Sequence, residues 1–132
     1  MMSAYLFTYG TLRREFSNSF AQQLRQKALW CGKASLTGQL YDLGQYPAAV
    51  FETAQTQLVH GEVWLLTDFG PTIALLDDYE GTNDPTPEYV RVLVPVHLKN
   101  GKTLLCWAYQ YNFSVSGLPL IAHGDYWRWK NE

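Results

Sequence analysis

Two stretches of the chain carry residues arranged for chemistry. In the first, Leu75-Leu76-Asp77-Asp78-Tyr79-Glu80-Gly81, an acidic residue closes a segment that reads as helix from Phe69 to Gly81. Thr67 or Asp68 can cap its start, Pro71 fits its first turn, and Gly81 can end it. At about 100° per residue, Phe69, Ile73 and Leu76 form one apolar stripe with Glu80 in the middle of it. Glu80 is therefore expected to point at the core, with Asp77 and Asp78 turned to solvent. A carboxylate in apolar surroundings with acidic neighbours has its pKa raised, which makes a general base that works near neutral pH. The structural alternative is a helix-end Glu that accepts a backbone N–H or pairs with Arg91.

The second stretch is Tyr9-Gly10-Thr11-Leu12, where a short apolar run breaks abruptly into a turn. Glycine permits backbone conformations that aim successive N–H groups into one concave cluster, able to hold a carboxylate or an oxyanion. An ordinary strand-end turn has the same residues. Further along, Trp107, Tyr109 and Tyr111 share one face of a strand, a pattern that serves packing, although a Tyr109 hydroxyl opening into a pocket could orient a substrate. Glu62 sits in a two-faced strand and is expected to be exposed or paired with an arginine. His123 and Asp125 stand two apart, but no serine or cysteine stands out as their nucleophile, so both are read as structural.

These residues must be positioned by a modest framework. With 132 residues, one domain spanning 1–132 is expected, large enough for a real core. Ala4 to Tyr9 reads as a buried strand, and Asn18 to Lys27 as a short helix with Phe20 and Leu24 at helical spacing behind Ser17. Ala34 to Tyr41 and Leu58 to Leu66 alternate as strands, and Tyr46 to Phe51 reads as an edge strand with its proline at the start. Thr82 to Pro87 is a stiffened loop beside Glu80, expected to rim a pocket. Tyr89 to Leu98 and Leu104 to Tyr111 make a hairpin through Asn100-Gly101, and His123 to Trp129 is an aromatic closing segment.

Bulk properties exclude several classes of function. Ten Lys and Arg with a net charge of −2 leave no footprint for a polyanion, so the partner expected is a small molecule and not nucleic acid. No run approaches the roughly 20 apolar residues that span a bilayer, so no membrane association is expected, and the N-terminus does not read as a signal peptide. Cys31 and Cys106 lie far apart, with no partner at ligand spacing. Neither a metal site nor a disulfide framework is indicated, and a cytoplasmic location is expected.

Taken together, Tyr9-Gly10-Thr11-Leu12, Gly38-Gln39-Leu40-Tyr41 followed by Tyr46-Pro47-Ala48, Gly61-Glu62-Val63-Trp64, Leu76-Asp77-Asp78-Tyr79-Glu80 and Tyr89-Val90-Arg91 resemble the gamma-glutamylcyclotransferase-like family, in particular its gamma-glutamylamine cyclotransferase and AIG2-like branch. The resemblance covers nearly the whole chain. It implies an α+β fold, a small curved or barrel-like mixed β-sheet with a few short helices, and a pocket between the turn and the glutamate. It also implies Glu80 as the general base, and Tyr9, Gly10, Thr11 and Leu12 as the substrate-binding turn, with Tyr109 a weaker match to a pocket tyrosine. The implied reaction releases 5-oxoproline and a free amine from a gamma-glutamyl compound. That chemistry suits these residues, because the substrate supplies its own nucleophile, the α-amine, and the enzyme need only hold the folded conformer and move protons. No cofactor is needed. Two other readings stay open: a non-catalytic small-molecule binding module on the same fold, and a carbohydrate-active protein, for which no convincing second carboxylate can be nominated.

Overall fold

Alternation of apolar residues with period two governs most of the chain, and it builds a sheet that closes on itself. The structure is a computed structural model that describes residues 3–10, 19–52 and 56–132. Its elements in chain order are β1 (Tyr5–Thr8), α1 (Ser19–Lys27), β2 (Ala28–Asp42), β3 (Pro47–Phe51), β4 (Leu58–Leu66), α2 (Phe69–Glu80), β5 (Tyr89–Leu98), β6 (Thr103–Tyr111) and α3 (Tyr126–Lys130). The strand order is β3-β2-β4-β1-β6-β5, and β5 returns to β2 at Ala34↔Leu98 and Ser35↔His97. Five strands thus form a barrel, with β3 added along Gly38–Asp42 of β2. The sheet is mixed, because β1 runs parallel to β6 at Leu6↔Trp107 while the other pairs are antiparallel. The α+β expectation of a small barrel-like mixed sheet with short helices describes this architecture.

Successive residues of each strand feed two different cores. Phe7, Val63 and Cys106 point into the barrel with Leu36, Val59 and Val96. Leu6, Trp64 and Tyr109 point outward and meet Leu24 of α1 and Ile73 and Leu76 of α2. The stripe on α2 is what seats the helix: Ile73 and Leu76 are buried, and Phe69 packs against them from the margin. Each such side chain contributes about 1.5–3 kcal/mol by leaving water, enough to fix the helix's rotation about its axis and hence the direction of Glu80. Among the described residues, no helix is long and apolar enough to cross a membrane.

Three expectations need correction. β2 starts at Ala28 and not at Ala34, because its register against β4 shifts between Trp30 and Gly32 and the irregularity breaks the alternation that would reveal the first residues. The aromatic tail contains a short helix, α3, whose N-cap Asp125 accepts the Arg128 N–H at 3.2 Å. Of the two surroundings expected for Glu62, exposure is excluded: it is 0% exposed and accepts the Trp30 indole N–H at 3.1 Å. The outer face of β4 lies under other elements, as its neighbour on that face, Trp64, also shows at 3% exposure.

The barrel closes tightly where β1 crosses β4. A Cβ on Gly61 would lie 2.1 Å from the Thr8 carbonyl oxygen and 2.8 Å from Cζ of Phe7. Backbone cannot yield as a flexible side chain does. Gly61→Ala is therefore expected to destabilise the protein by about 2–3 kcal/mol or more, read as a lowered midpoint in urea with an unchanged slope. A variant as stable as the parent would show that the strands part there at no cost.

Candidate active site

α2 stops immediately after Glu80. Gly81 takes the left-handed conformation (φ 77°, ψ 20°) that favours glycine, and its N–H bonds back to the last turn. Thr82 completes the stop, donating both its N–H and its hydroxyl to the Asp77 carbonyl, at 3.0 and 3.2 Å. The end of the helix, and the carboxylate it carries, are thereby fixed against the ends of the strands.

Asp77 and Glu80 lie about one turn apart and meet opposite surroundings. Asp77 does not face solvent as expected; its side chain is 14% exposed. It borders the apolar stripe beside Ile73 and turns to the β5–β6 pair, where Arg91 and Tyr109 are direct cross-strand neighbours. Arg91 grips its carboxylate with two nitrogens, at 2.9 and 3.2 Å, and the Tyr109 hydroxyl donates to the same carboxylate at 2.8 Å. The guanidinium also lies 4.5 Å from the centre of the Trp107 ring. Arg91 is thus committed to Asp77 and is not the partner of Glu80.

Glu80 accepts no hydrogen bond and forms no ion pair among the described residues. Burial pushes its carboxyl from an ordinary 4.5 to about 8, with the charge of Glu88 adding to the rise. The sequence-based reason, its acidic neighbours on the helix, is replaced: the acid that acts on it comes from the start of β5.

The carboxyl opens into a cavity of about 220 Å³. Its floor is the end of β1 with Gly10, and its walls are Glu80 and Tyr79 of α2, Tyr109 of β6, Tyr89 with the preceding Glu88, and the Tyr46-Pro47 start of β3. Such a volume is below that of drug-sized pockets, about 300–1,000 Å³, and suits a small ligand. Among the described residues, none grouped with others as His, Cys, Asp or Glu could hold a metal ion.

Three tyrosine hydroxyls around the cavity are turned into the protein. Tyr9 donates to the Tyr109 carbonyl, Tyr89 to the Pro47 carbonyl at 2.6 Å, and Tyr109 to Asp77. Burial raises the pKa of all three, so they stay neutral and offer rings to the cavity. Thr8 is held by the Trp64 indole N–H at 3.1 Å.

Of the residues singled out in the sequence, Tyr9, Gly10, Glu80 and Tyr109 meet at this cavity, while Thr11 and Leu12 lie outside the described residues. Gly10 is required for a reason other than backbone freedom. Its φ is not in the left-handed region, but a Cβ there would lie 2.9 Å from Cγ of Pro47. His123 and Asp125 are elsewhere, at the C-terminal helix, where His123 meets Glu132 at 3.1 Å. Tyr46, Tyr79, Glu88 and Tyr89 were not nominated as site residues. The available signal was their position beside the Thr82–Pro87 loop and the Tyr46-Pro47 pair.

A family model described as gamma-glutamyl cyclotransferase, AIG2-like, matches residues 6–129. The chain belongs to this family. The Escherichia coli K12 gamma-glutamylcyclotransferase family protein YtfP is 32% identical over 128 residues, covering 92% of this chain and 94% of YtfP. The solution structure of E. coli ytfP superposes with a TM-score of 0.67 at 33% identity, over 97% of this chain and 99% of that one. The crystal structure of a mouse AIG2-like protein shares the fold, with a TM-score of 0.71 at 21% identity over 96% of this chain and 89% of the mouse chain.

The electrostatics of this AIG2-like cavity can be tested without any substrate. Because the Glu80 carboxyl titrates near 8 when folded and near 4.5 when unfolded, the native state holds a proton that the unfolded chain releases. Stability contributed by that group is therefore full below about pH 4.5 and lost as pH rises to about 8. Glu80→Gln removes the penalty and is expected to be on the order of 4–5 kcal/mol more stable than the parent at pH 8.5, with a gap that closes towards pH 4 in thermal melts. A gap independent of pH would mean that Glu80 titrates normally.

Proposed function

We propose that the protein is a gamma-glutamyl cyclotransferase that releases 5-oxoproline and a free amine from a gamma-glutamyl amine or a related compound, with Glu80 as general acid and base. The observation that carries this reading is the Glu80 carboxyl itself, open to a small cavity, without a cation among the described residues, and titrating near 8. A site built only to bind gains nothing from an uncompensated buried acid, which generally costs several kcal/mol. An acid–base catalyst gains a group whose affinity for a proton is close to that of an α-amine, about 7.7–8.0 in peptides.

In the reaction, ionised Glu80 accepts a proton from the substrate's α-ammonium. The freed amine attacks the γ-carbonyl carbon, forming the ring C–N bond and placing negative charge on the carbonyl oxygen. Glu80 then returns the proton to the departing nitrogen as the original amide bond breaks, and the proton still surplus on the ring nitrogen passes through the same carboxylate to the released amine, which leaves as an ammonium. No water is consumed, and Glu80 ends ionised, as it began. Backbone amides of the Gly10–Leu12 turn bind the α-carboxylate or the oxyanion, and the rings of Tyr9 and Tyr109 hold the substrate's carbon chain folded.

Incubation with a panel of gamma-glutamyl amines and dipeptides, with detection of 5-oxoproline, tests the activity. Glu80→Gln keeps shape but cannot accept the proton, so it should lose about 10²-fold or more in kcat; a variant within threefold of the parent sinks the role of Glu80. The kcat/KM profile should climb with unit slope towards about pH 8, the value for the free enzyme, and that limb should vanish from the residual activity of Glu80→Gln. In the turn, Gly10→Val should be severe because the new side chain strikes Pro47, while Thr11→Ala should be mild if amides do the binding. The reverse order would transfer the role to the Thr11 hydroxyl.

A further inference from the structure

One wall of the cavity is held from outside it. Pro47 begins β3 and Tyr46 precedes it, after an exposed turn at Gly44 and Gln45. Asp42 and Pro47 are the last pair in the β2–β3 register, so whatever fixes Asp42 also fixes the start of this wall. Both oxygens of the Asp42 carboxylate are engaged. Oδ1 accepts the Gly44 N–H at 2.7 Å and shapes the turn, and Oδ2 accepts the Trp129 indole N–H at 3.0 Å. Lys130 stands 3.9 Å from Oδ1 and donates to the Gly44 carbonyl. Burial raises the Asp42 pKa, but the Trp129 indole, the Gly44 N–H and Lys130 outweigh it and hold the carboxyl below its ordinary range.

Trp129 and Lys130 belong to α3, none of whose residues is among those lining the cavity. The segment that carries them is anchored in the barrel. Ile121 and Tyr126 are buried in its core, and the Gly124 carbonyl accepts the His60 N–H at 2.8 Å. On its way the segment follows β2: Ile121 donates its N–H to the Leu40 carbonyl at 2.8 Å, and the Pro119 carbonyl accepts the Asp42 N–H at 2.9 Å. α3 is thus fixed to the barrel, and the β2–β3 turn is tied to α3. Among the described strands, β3 pairs with β2 alone. On its other edge it meets side chains: the Tyr89 hydroxyl donates to the Pro47 carbonyl, and the Ala49 N–H is turned to the Tyr9 oxygen. A strand with a ladder on one side only belongs to the less stable part of a fold, and its placement depends on such local ties.

We infer that Asp42, Trp129 and Lys130 form a positioning cluster for the cavity: they tie the β2–β3 turn to α3 and so set the distance of the Tyr46–Pro47 wall from Gly10 and Glu80. The C-terminal helix, which touches nothing in the cavity, thereby governs its width. This rests on the cyclotransferase reading only for its effect on turnover; the dependence of the wall on α3 stands by itself.

Asp42→Asn separates the two roles of the carboxylate. Its amide oxygen can still accept the Gly44 N–H, but its NH2 group meets the Trp129 indole as a second donor, so the turn is kept and the tie to α3 is lost. Trp129→Phe cuts the same tie from the other end. Amide hydrogen exchange reports the result without any ligand, at Ala49 for the wall and along the β5–β6 ladder for the barrel. In each variant exchange at Ala49 should rise about tenfold while the ladder changes by less than about twofold. The double variant should exchange no faster than either single one, because both substitutions cut one link. Unchanged exchange at Ala49, a rise shared by the β5–β6 ladder, or effects of the two substitutions that add, overturns the cluster. For whichever gamma-glutamyl amine or dipeptide the parent converts, each variant should raise KM about tenfold, with a smaller effect on kcat. An unmoved KM beside faster Ala49 exchange overturns the link to the cavity. A parent that yields no 5-oxoproline from any of them sinks the cyclotransferase reading instead, and the exchange result alone then decides whether α3 holds the wall.

Discussion

One arginine can satisfy one carboxylate, and in this protein it satisfies Asp77. Arg91 and Tyr109, side by side on β5 and β6, together take up the Asp77 carboxylate, and the Trp107 ring covers the guanidinium. Had the cation reached Glu80 instead, its carboxyl would be held in the charged form and could not cycle a proton near neutral pH. The Asp77–Arg91–Tyr109 cluster thus does two things at once. It anchors the end of α2 to the barrel by charge-assisted hydrogen bonds, and it commits the Arg91 guanidinium to Asp77 instead of to Glu80.

The rest of the architecture keeps that arrangement in place. Glu80 can be held in poor surroundings only if the helix is fixed by something other than Glu80, and the Ile73–Leu76 stripe and the Gly81 stop supply this. The cavity forms because strand ends from separate parts of the barrel converge on the C-terminus of α2. The tight approach of Gly10 to Pro47 holds β1 close to β3 on one side of the cavity, and the Tyr89 hydroxyl ties Pro47 to β5 across it. A side chain at residue 10 would open the same gap that Tyr89 closes.

Much of this was legible in the sequence, and the omissions have a common cause. β4 and the β5–β6 hairpin are read from alternation and Asn100-Gly101 because none of these strands carries an extra residue. β2 is readable only after its irregularity at Cys31, since an extra residue inverts the alternation on either side. The direction of Glu80 is legible because helical period alone sets it. The fate of Asp77 is not, because it lies at the edge of the stripe and depends on which strands happen to stand beside it. Likewise Glu62 is buried by elements remote in sequence, and Glu88 enters the cavity only because the barrel closes. Local pattern reveals where a side chain points; what it meets there is a property of topology.

The neutral tyrosines give the cavity its last property. Three hydroxyls that could have faced a ligand are spent on the Tyr109 and Pro47 carbonyls and the Asp77 carboxylate, so Tyr9, Tyr89 and Tyr109 present rings and not donors to the cavity. In the empty site this favours the protonated form of Glu80, which avoids an uncompensated charge beside Glu88. A substrate that brings an ammonium group reverses the balance, because the same low dielectric that penalises a lone carboxylate strengthens its attraction to a cation a few ångströms away. Under the proposed function, the ligand that needs a base is the one whose charge creates it. An empty cavity, or one holding a neutral molecule, keeps Glu80 protonated and inert.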